Sequence, residues 1–253
     1  MEGQPSRIIV VNFSPEARGL VASIVDFFAD PSSDRGHVKA ICTGVGTPAL
    51  AEVALASVEG IEARYIEGSV SLGVERFAAL LLAEKVAVAD ADAIIVLPHR
   101  ASAEVDAHSR LTCVALRQAC GERALPTTVV AIEDPEASFE FSGLGVTTIF
   151  YPGFLRAALF AHACVDLPVF HFILALLRGH YCVQTLAIPE ELRGRTFGEA
   201  CRTLERDAGG SPISLVGVFA EDSEGGAPIM RVNPGPRFAL DKATSLLAIS
   251  ERR

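Results

Sequence analysis

Residues Ala87–Arg117 read AVADADAIIVLPHRASAEVDAHSRLTCVALR, and their order of polarity decides the fold. An acidic turn, Asp90-Ala91-Asp92, leads into the apolar run Ala93–Leu97, which Pro98-His99 ends. An acid-started helix is expected from about Ser102 onward. A short, unbroken apolar run between helices is the pattern of a parallel strand covered on both faces. Open parallel sheets bind ligands beyond the carboxyl ends of their strands. That rule points first to His99, Glu104 and Asp106.

Moving outward, the same alternation repeats. Strands are expected at Arg7–Asn12, Val38–Thr43, Ala63–Glu67, Ala93–Leu97, Thr127–Ile132 and Val146–Phe150. Helices are expected at about Pro15–Ala29, Thr47–Val58, Val74–Val86 and Ala103–Cys120. Ser14-Pro15-Glu16, Thr47-Pro48 and Asp134-Pro135-Glu136 each combine a capping residue with a proline suited to the first helical position. Six strands alternating with helices describe an α/β fold, a Rossmann-like doubly wound parallel sheet over residues 1–152.

The pattern changes at Gly153. Phe154–Val165 and Val169–Leu177 read as apolar helices broken at Pro168, a helical crossover over residues 153–178. The second, VFHFILALL, is apolar around nearly its whole circumference. Either it is a buried core helix or it packs against a second subunit, and the completed sheet before it favours the subunit. Arg178-Gly179 marks a boundary. Residues 179–253 then read as a small α+β C-terminal lobe. Its strands fall at Tyr181–Ile188, Ile213–Phe219, Ile229–Val232 and Ser245–Ser250, its helix at Thr196–Asp207 and a turn at Gly225-Gly226.

Composition excludes several classes. Half of the 253 residues are hydrophobic, and the excess of 31 acidic over 22 basic residues argues against a nucleic-acid footprint, which needs a basic face. No apolar stretch is long enough to span a bilayer, and MEGQPSR has no signal-peptide core, so the expectation is a cytoplasmic chain. That polar start suits a free subunit or the cytosolic piece of a longer channel alike. Six cysteines without a C-x-x-C pair suit reduced core thiols rather than zinc or disulfides.

In the first turn, Asn12, Ser14 and Ala17 occupy the three glycine positions of a dinucleotide fingerprint, and the second strand ends Cys42-Thr43 without a ribose-binding carboxylate. Glu16 puts negative charge where a pyrophosphate would sit, with Arg18 offsetting part of it. NAD or ATP in the usual pose is not expected. Asn12, Ser14, Arg18, Thr43 and His99 remain the ligand-facing candidates. Cys42, at a strand end, is either a reactive thiolate or a small buried thiol. Glu104 and Asp106 with Glu133, Asp134 and Glu136 form two acidic groups at neighbouring strand ends. They either hold a hard cation such as Ca²⁺, which needs six to eight oxygens, or serve as helix starts.

Several pieces, in order and spacing, resemble the RCK family, the regulators of potassium conductance (TrkA-N/TrkA-C domains). They are VAVADADAIIVL (Val86–Leu97), DAHSRLTCVALR (Asp106–Arg117), Val129–Pro152 with its terminal IFYP, LRGRTFGE (Leu192–Glu199), Leu215–Val218 and VNPGP (Val232–Pro236). The resemblance covers Arg7 to Ile249. It implies a non-enzymatic regulatory domain that forms homodimers through the crossover. Such dimers assemble into rings and gate a membrane potassium channel or transporter from its inner face. It further implies Ca²⁺ in some members, with Asp106 and Glu133 matching two of three carboxylate positions and Ala131 standing at the third; Glu104 and Glu136 are further candidate ligands. Ala243-Thr244 replaces the usual Gly-Asp turn before the final strand. A nucleotide-using oxidoreductase on a degenerate Rossmann fold is the competing class.

Overall fold

The computed structural model describes residues 7–28, 38–58, 60–177, 180–207, 210, 212–220 and 229–251. The Arg178-Gly179 boundary, the Gly225-Gly226 turn and the expected helix end at Ala29 lie outside them. The chain divides into two compact units, Met1–Ala157 and Ala158–Arg253.

The first unit is built on β1 (Arg7–Val11), β2 (Val38–Gly44), β3 (Ile61–Glu67), β4 (Ala93–Val96), β5 (Thr127–Ala131) and β6 (Thr148–Phe150). All pair in parallel, in the order β3-β2-β1-β4-β5-β6. The connecting helices are α1 (Arg18–Phe28), α2 (Pro48–Ala56), α3 (Val74–Ala83) and α4 (Val105–Cys120). Side chains alternate across a strand. Ile8 and Val10 therefore pack with Val38, Ala40 and Leu55 on one face, while Ile9 and Val11 pack with Phe77, Leu81, Ile94 and Leu116 on the other. Two covered faces explain the continuously apolar β1. Each fully buried aliphatic or Phe side chain contributes roughly 1.5–3 kcal/mol.

Several helix expectations differ, the first being α1, which begins at Arg18 after a 3₁₀ turn over Pro15–Ala17. The residues after β5 form a 3₁₀ run, Pro135–Phe141, capped by the Asp134 side chain, which accepts from the Glu136 N–H at 2.9 Å. Gly143, at φ 78°, turns the chain before a full α-helix can develop. Pro168 does not break a helix. The boundary is Asp166, between α5 (Pro152–Val165) and α6 (Leu167–Leu177). Pro168 lies in the first turn of α6, where no N–H is required, and the Asp166 carboxylate accepts from the Val169 N–H at 3.2 Å.

The second unit carries a four-stranded antiparallel sheet, β7 (Tyr181–Leu186), β8 (Ile213–Ala220), β9 (Ile229–Val232) and β10 (Ala243–Glu251), in the order β7-β10-β8-β9. Helix α7 (Phe197–Thr203) starts with a capping box in which Thr196 and Glu199 satisfy each other's backbone. It is four residues shorter than the helix expected to Asp207. Arg206 instead bridges to Pro212, and its guanidinium donates to the Gly210 carbonyl at 2.7 Å. Leu192, Phe197, Val218, Leu240 and Leu246 form the core beneath it. Gly217 lets β9 approach β8, since a Cβ there would lie 2.5 Å from the Arg231 carbonyl oxygen.

Candidate functional site

The strand order reverses direction between β1 and β4, and at such a switch point open parallel sheets bind ligands in the crevice beyond the carboxyl ends of their strands. Asn12 directly follows β1 at that point. It adopts φ 61°, a left-handed conformation that Asn tolerates, and its Nδ2 donates to the Leu97 carbonyl at 2.9 Å. Phe13 N–H donates to the Thr43 carbonyl at 2.8 Å, tying the same loop to β2. Gly44 is required beside it, because a Cβ would fall 2.2 Å from the Phe13 oxygen. The Asn12 Oδ1 and the Thr43 Oγ1 are buried and lack hydrogen-bond partners among the described residues. Buried polar atoms without partners are uncommon enough to mark a place where a ligand or water contributes the missing bond.

Charged and aromatic groups follow the neighbouring strand ends. The Glu16 carboxyl is held below the usual range by the Ser14 hydroxyl, then its own backbone N–H and the Arg100 charge. Arg18, at the start of α1, is exposed. His99, after β4, stacks on His108 of α4 with ring centroids 4.2 Å apart and an interplanar angle of 25°. His108 Nε2 lies 3.3 Å from the Ser71 Oγ, while its Nδ1 is buried without a partner among the described residues. Burial, reinforced by His99, pushes the His108 pKa down to about 4, and burial also lowers that of His99. Both rings are neutral at pH 7.

His108 and Ser71 were not among the residues singled out from sequence. Their meeting depends on α3 packing against α4, which brings the Ser69–Ser71 turn before α3 against the first turns of α4. The only sequence signal was polar residues after two different strands, and no spacing rule connects them.

The acidic residues take another arrangement. The two Asp106 carboxylate oxygens accept the backbone N–H groups of Glu133 at 2.9 Å and Asp134 at 2.8 Å. Glu104, Glu133 and Glu136 are exposed, and Ala131 at the end of β5 is buried. Among the described residues, no three His, Cys, Asp or Glu side chains are grouped to hold a metal ion. A Ca²⁺ ion needs six to eight oxygens, so this arrangement does not fit a ready-made cage. Asp106 and Glu133 are brought together, but through the backbone of Glu133. Of the thiols, Cys42 and Cys113 are buried and pushed up to about 12, so both stay protonated. Cys42 is therefore no thiolate nucleophile.

The human SLO3 gating ring matches 98% of this chain over 44% of its own length, with a TM-score of 0.65 at 16% identity. The GsuK RCK domain aligns with 96% of this chain and 43% of its own at 17% identity, with a TM-score of 0.39. The GsuK channel bound to NAD aligns with 98% and 37% at 15% identity, with a TM-score of 0.40. No family model and no curated protein matches the chain. The chain thus spans less than half the length of these structures and shares the fold of the SLO3 gating ring. Among the described residues no helix is long and apolar enough to cross a membrane.

Proposed function

We propose that this chain is a non-catalytic regulatory domain of the RCK type, which dimerises through its helical crossover and gates potassium transport through a membrane partner. The observation that carries this reading is the apolar surface of α5 and α6. Neither helix contains a fully buried residue, and Phe160, Val165, Leu167, Phe172 and Leu177 are all exposed in the single chain. Soluble proteins rarely leave so many large apolar side chains uncovered, and a twofold interface with a second copy covers such a surface on both chains at once. The shared fold with a gating ring supports the same arrangement. On this reading residues 153–178 are the dimerisation segment, residues 1–152 and 179–253 the flanking lobes, and the dimers form a larger ring at the cytoplasmic face of a membrane.

The ligand-facing end is the crevice at Asn12, Ser14, Arg18, Thr43 and His99. Neutral imidazoles and unpartnered buried oxygens suit a polar small molecule that supplies hydrogen bonds. A ligand of this kind regulates only if it binds one ring state better than another. A divalent cation at Asp106 and Glu133 would act in competition with the two backbone bonds already made there.

Sedimentation velocity on the purified chain tests the assembly. A dimer or larger ring at micromolar concentration is expected, and Phe160→Asp should shift it towards monomer with its circular dichroism unchanged. A wild-type monomer at that concentration would sink the reading. Thermal-shift screening with Ca²⁺, NAD(H) and ATP would then assign or remove each ligand class.

A further inference from the structure

We propose that the amino-terminal edge of the six-stranded sheet holds a second ligand site, for a small organic anion with an apolar body. It lies at the opposite strand ends from the crevice and does not depend on the ring reading. A cavity of roughly 300 Å³ opens there, within the size range of small-molecule sites.

Strand register builds it in two rows. Arg7, Lys39 and Glu62 are Cα partners across β1, β2 and β3, and two residues further in, on the same face, Ile9, Ile41 and Arg64 are partners. The outer row is therefore charged and the inner row has an apolar floor. Lys85, in the turn after α3, adds a fourth cation to the lining. Four cations at one cavity stand out in a chain of net charge −9.

Two of the four are already neutralised. Lys39 Nζ pairs with Glu62 at 2.9 Å, and Arg64 pairs with Glu84. Arg7 and Lys85 have no ion-pair partner among the described residues. Asp92 takes the Arg7 main-chain N–H at 2.8 Å rather than the guanidinium, and its carboxylate brings one negative charge close to Arg7. Four cations against the carboxylates of Glu62, Glu84 and Asp92 leave a surplus of one positive charge above an apolar floor, which is the complement of a carboxylate or phosphate ester on a hydrocarbon body. Arginine can hold either headgroup through two parallel bonds.

Lys85 provides a separate indication. It sits at φ 57° just past the end of α3, with its N–H on the Leu82 carbonyl and the Val86 N–H on the Leu81 carbonyl. Glycine is the favoured residue in that left-handed position. A lysine there accepts backbone strain that glycine would remove, and strain of this kind collects at ligand sites.

The test is isothermal titration calorimetry on the whole chain with octanoate and with phenyl phosphate, using sulfate and phenol as controls. At least one of the two amphipathic anions should bind at a single site, and neither control should match it. Octanoate alone would indicate a fatty-acid-like ligand, phenyl phosphate alone a phosphate ester. Arg7→Gln and Lys85→Gly should each weaken binding tenfold or more, while Lys85→Gly raises the melting temperature by relieving the strained turn. No binding of either anion overturns the proposal. So does undiminished binding by both variants, or sulfate binding as tightly as the amphipathic anions.

Discussion

Asp106, in the first turn of α4, closes the turn after β5 by accepting the backbone N–H groups of Glu133 and Asp134 on its two carboxylate oxygens. A carboxylate in a first helical turn is expected to favour the helix dipole. Here it also locks the carboxyl ends of two neighbouring strands' connections together. Asp106→Asn replaces one charged acceptor with a donor facing an N–H. It should lower unfolding stability by roughly 1–3 kcal/mol in the presence of a chelator, read by urea titration. Loss of stability only when Ca²⁺ is present would instead make Asp106 a cation ligand.

The stacked histidines give the stability a pH dependence of definite sign. His108 titrates at about 4 when folded against 6.5 for an unperturbed ring. Its folded pKa is lowered, so the unfolded chain binds the proton first. Stability is therefore complete above pH 6.5 and falls as the pH drops from there towards 4. With partial solvent screening the loss should be about 2 kcal/mol or less. Urea unfolding at pH 7, 6 and 5 should show this slope, and His108→Gln should flatten it. Equal slopes for the two proteins would remove His108 as the cause.

Gly44 has its own consequence. An added Cβ would meet the Phe13 carbonyl oxygen at 2.2 Å, and that oxygen belongs to backbone that cannot swing aside. Phe13 also donates to Thr43, so the whole Asn12–Ser14 loop must shift. Gly44→Ala should cost about 1–3 kcal/mol by overpacking. It should also weaken whatever small molecule the thermal-shift screen places at Asn12. A variant of wild-type stability would show that the loop relaxes freely.

The fold was legible because its strands are covered on both faces. Ile8–Val11 and Ala93–Val96 cannot alternate apolar with polar when helices lie above and below them. Thr47-Pro48 marked the start of α2, whereas Ser14-Pro15 opens a 3₁₀ turn, Pro15–Ala17, before α1 begins at Arg18, and neither Ser14 nor Thr47 makes a side-chain capping bond. The crevice was half legible. Asn12, Thr43 and His99 follow from strand ends, whereas His108 and Ser71 meet only through the packing of α3 on α4. Asp106 resisted assignment for another reason. A carboxylate that receives backbone N–H groups and one that receives a cation look the same in sequence, and only the contact separates them.

The crossover gives the last expected outcome. Val165 is 86% exposed and Phe160 68% exposed in the single chain, so burial against a second copy would remove large apolar areas from water. Anything that binds only the folded state raises apparent stability by mass action, and a partner subunit is such a ligand. The melting temperature of the wild type should therefore rise with protein concentration over a hundredfold range. Phe160→Asp should abolish that dependence and leave the low-concentration melting temperature almost unchanged, because the side chain contributes little to the core of its own chain. A wild-type melting temperature independent of concentration, with Phe160→Asp equally stable throughout, would mean that no second copy covers these helices.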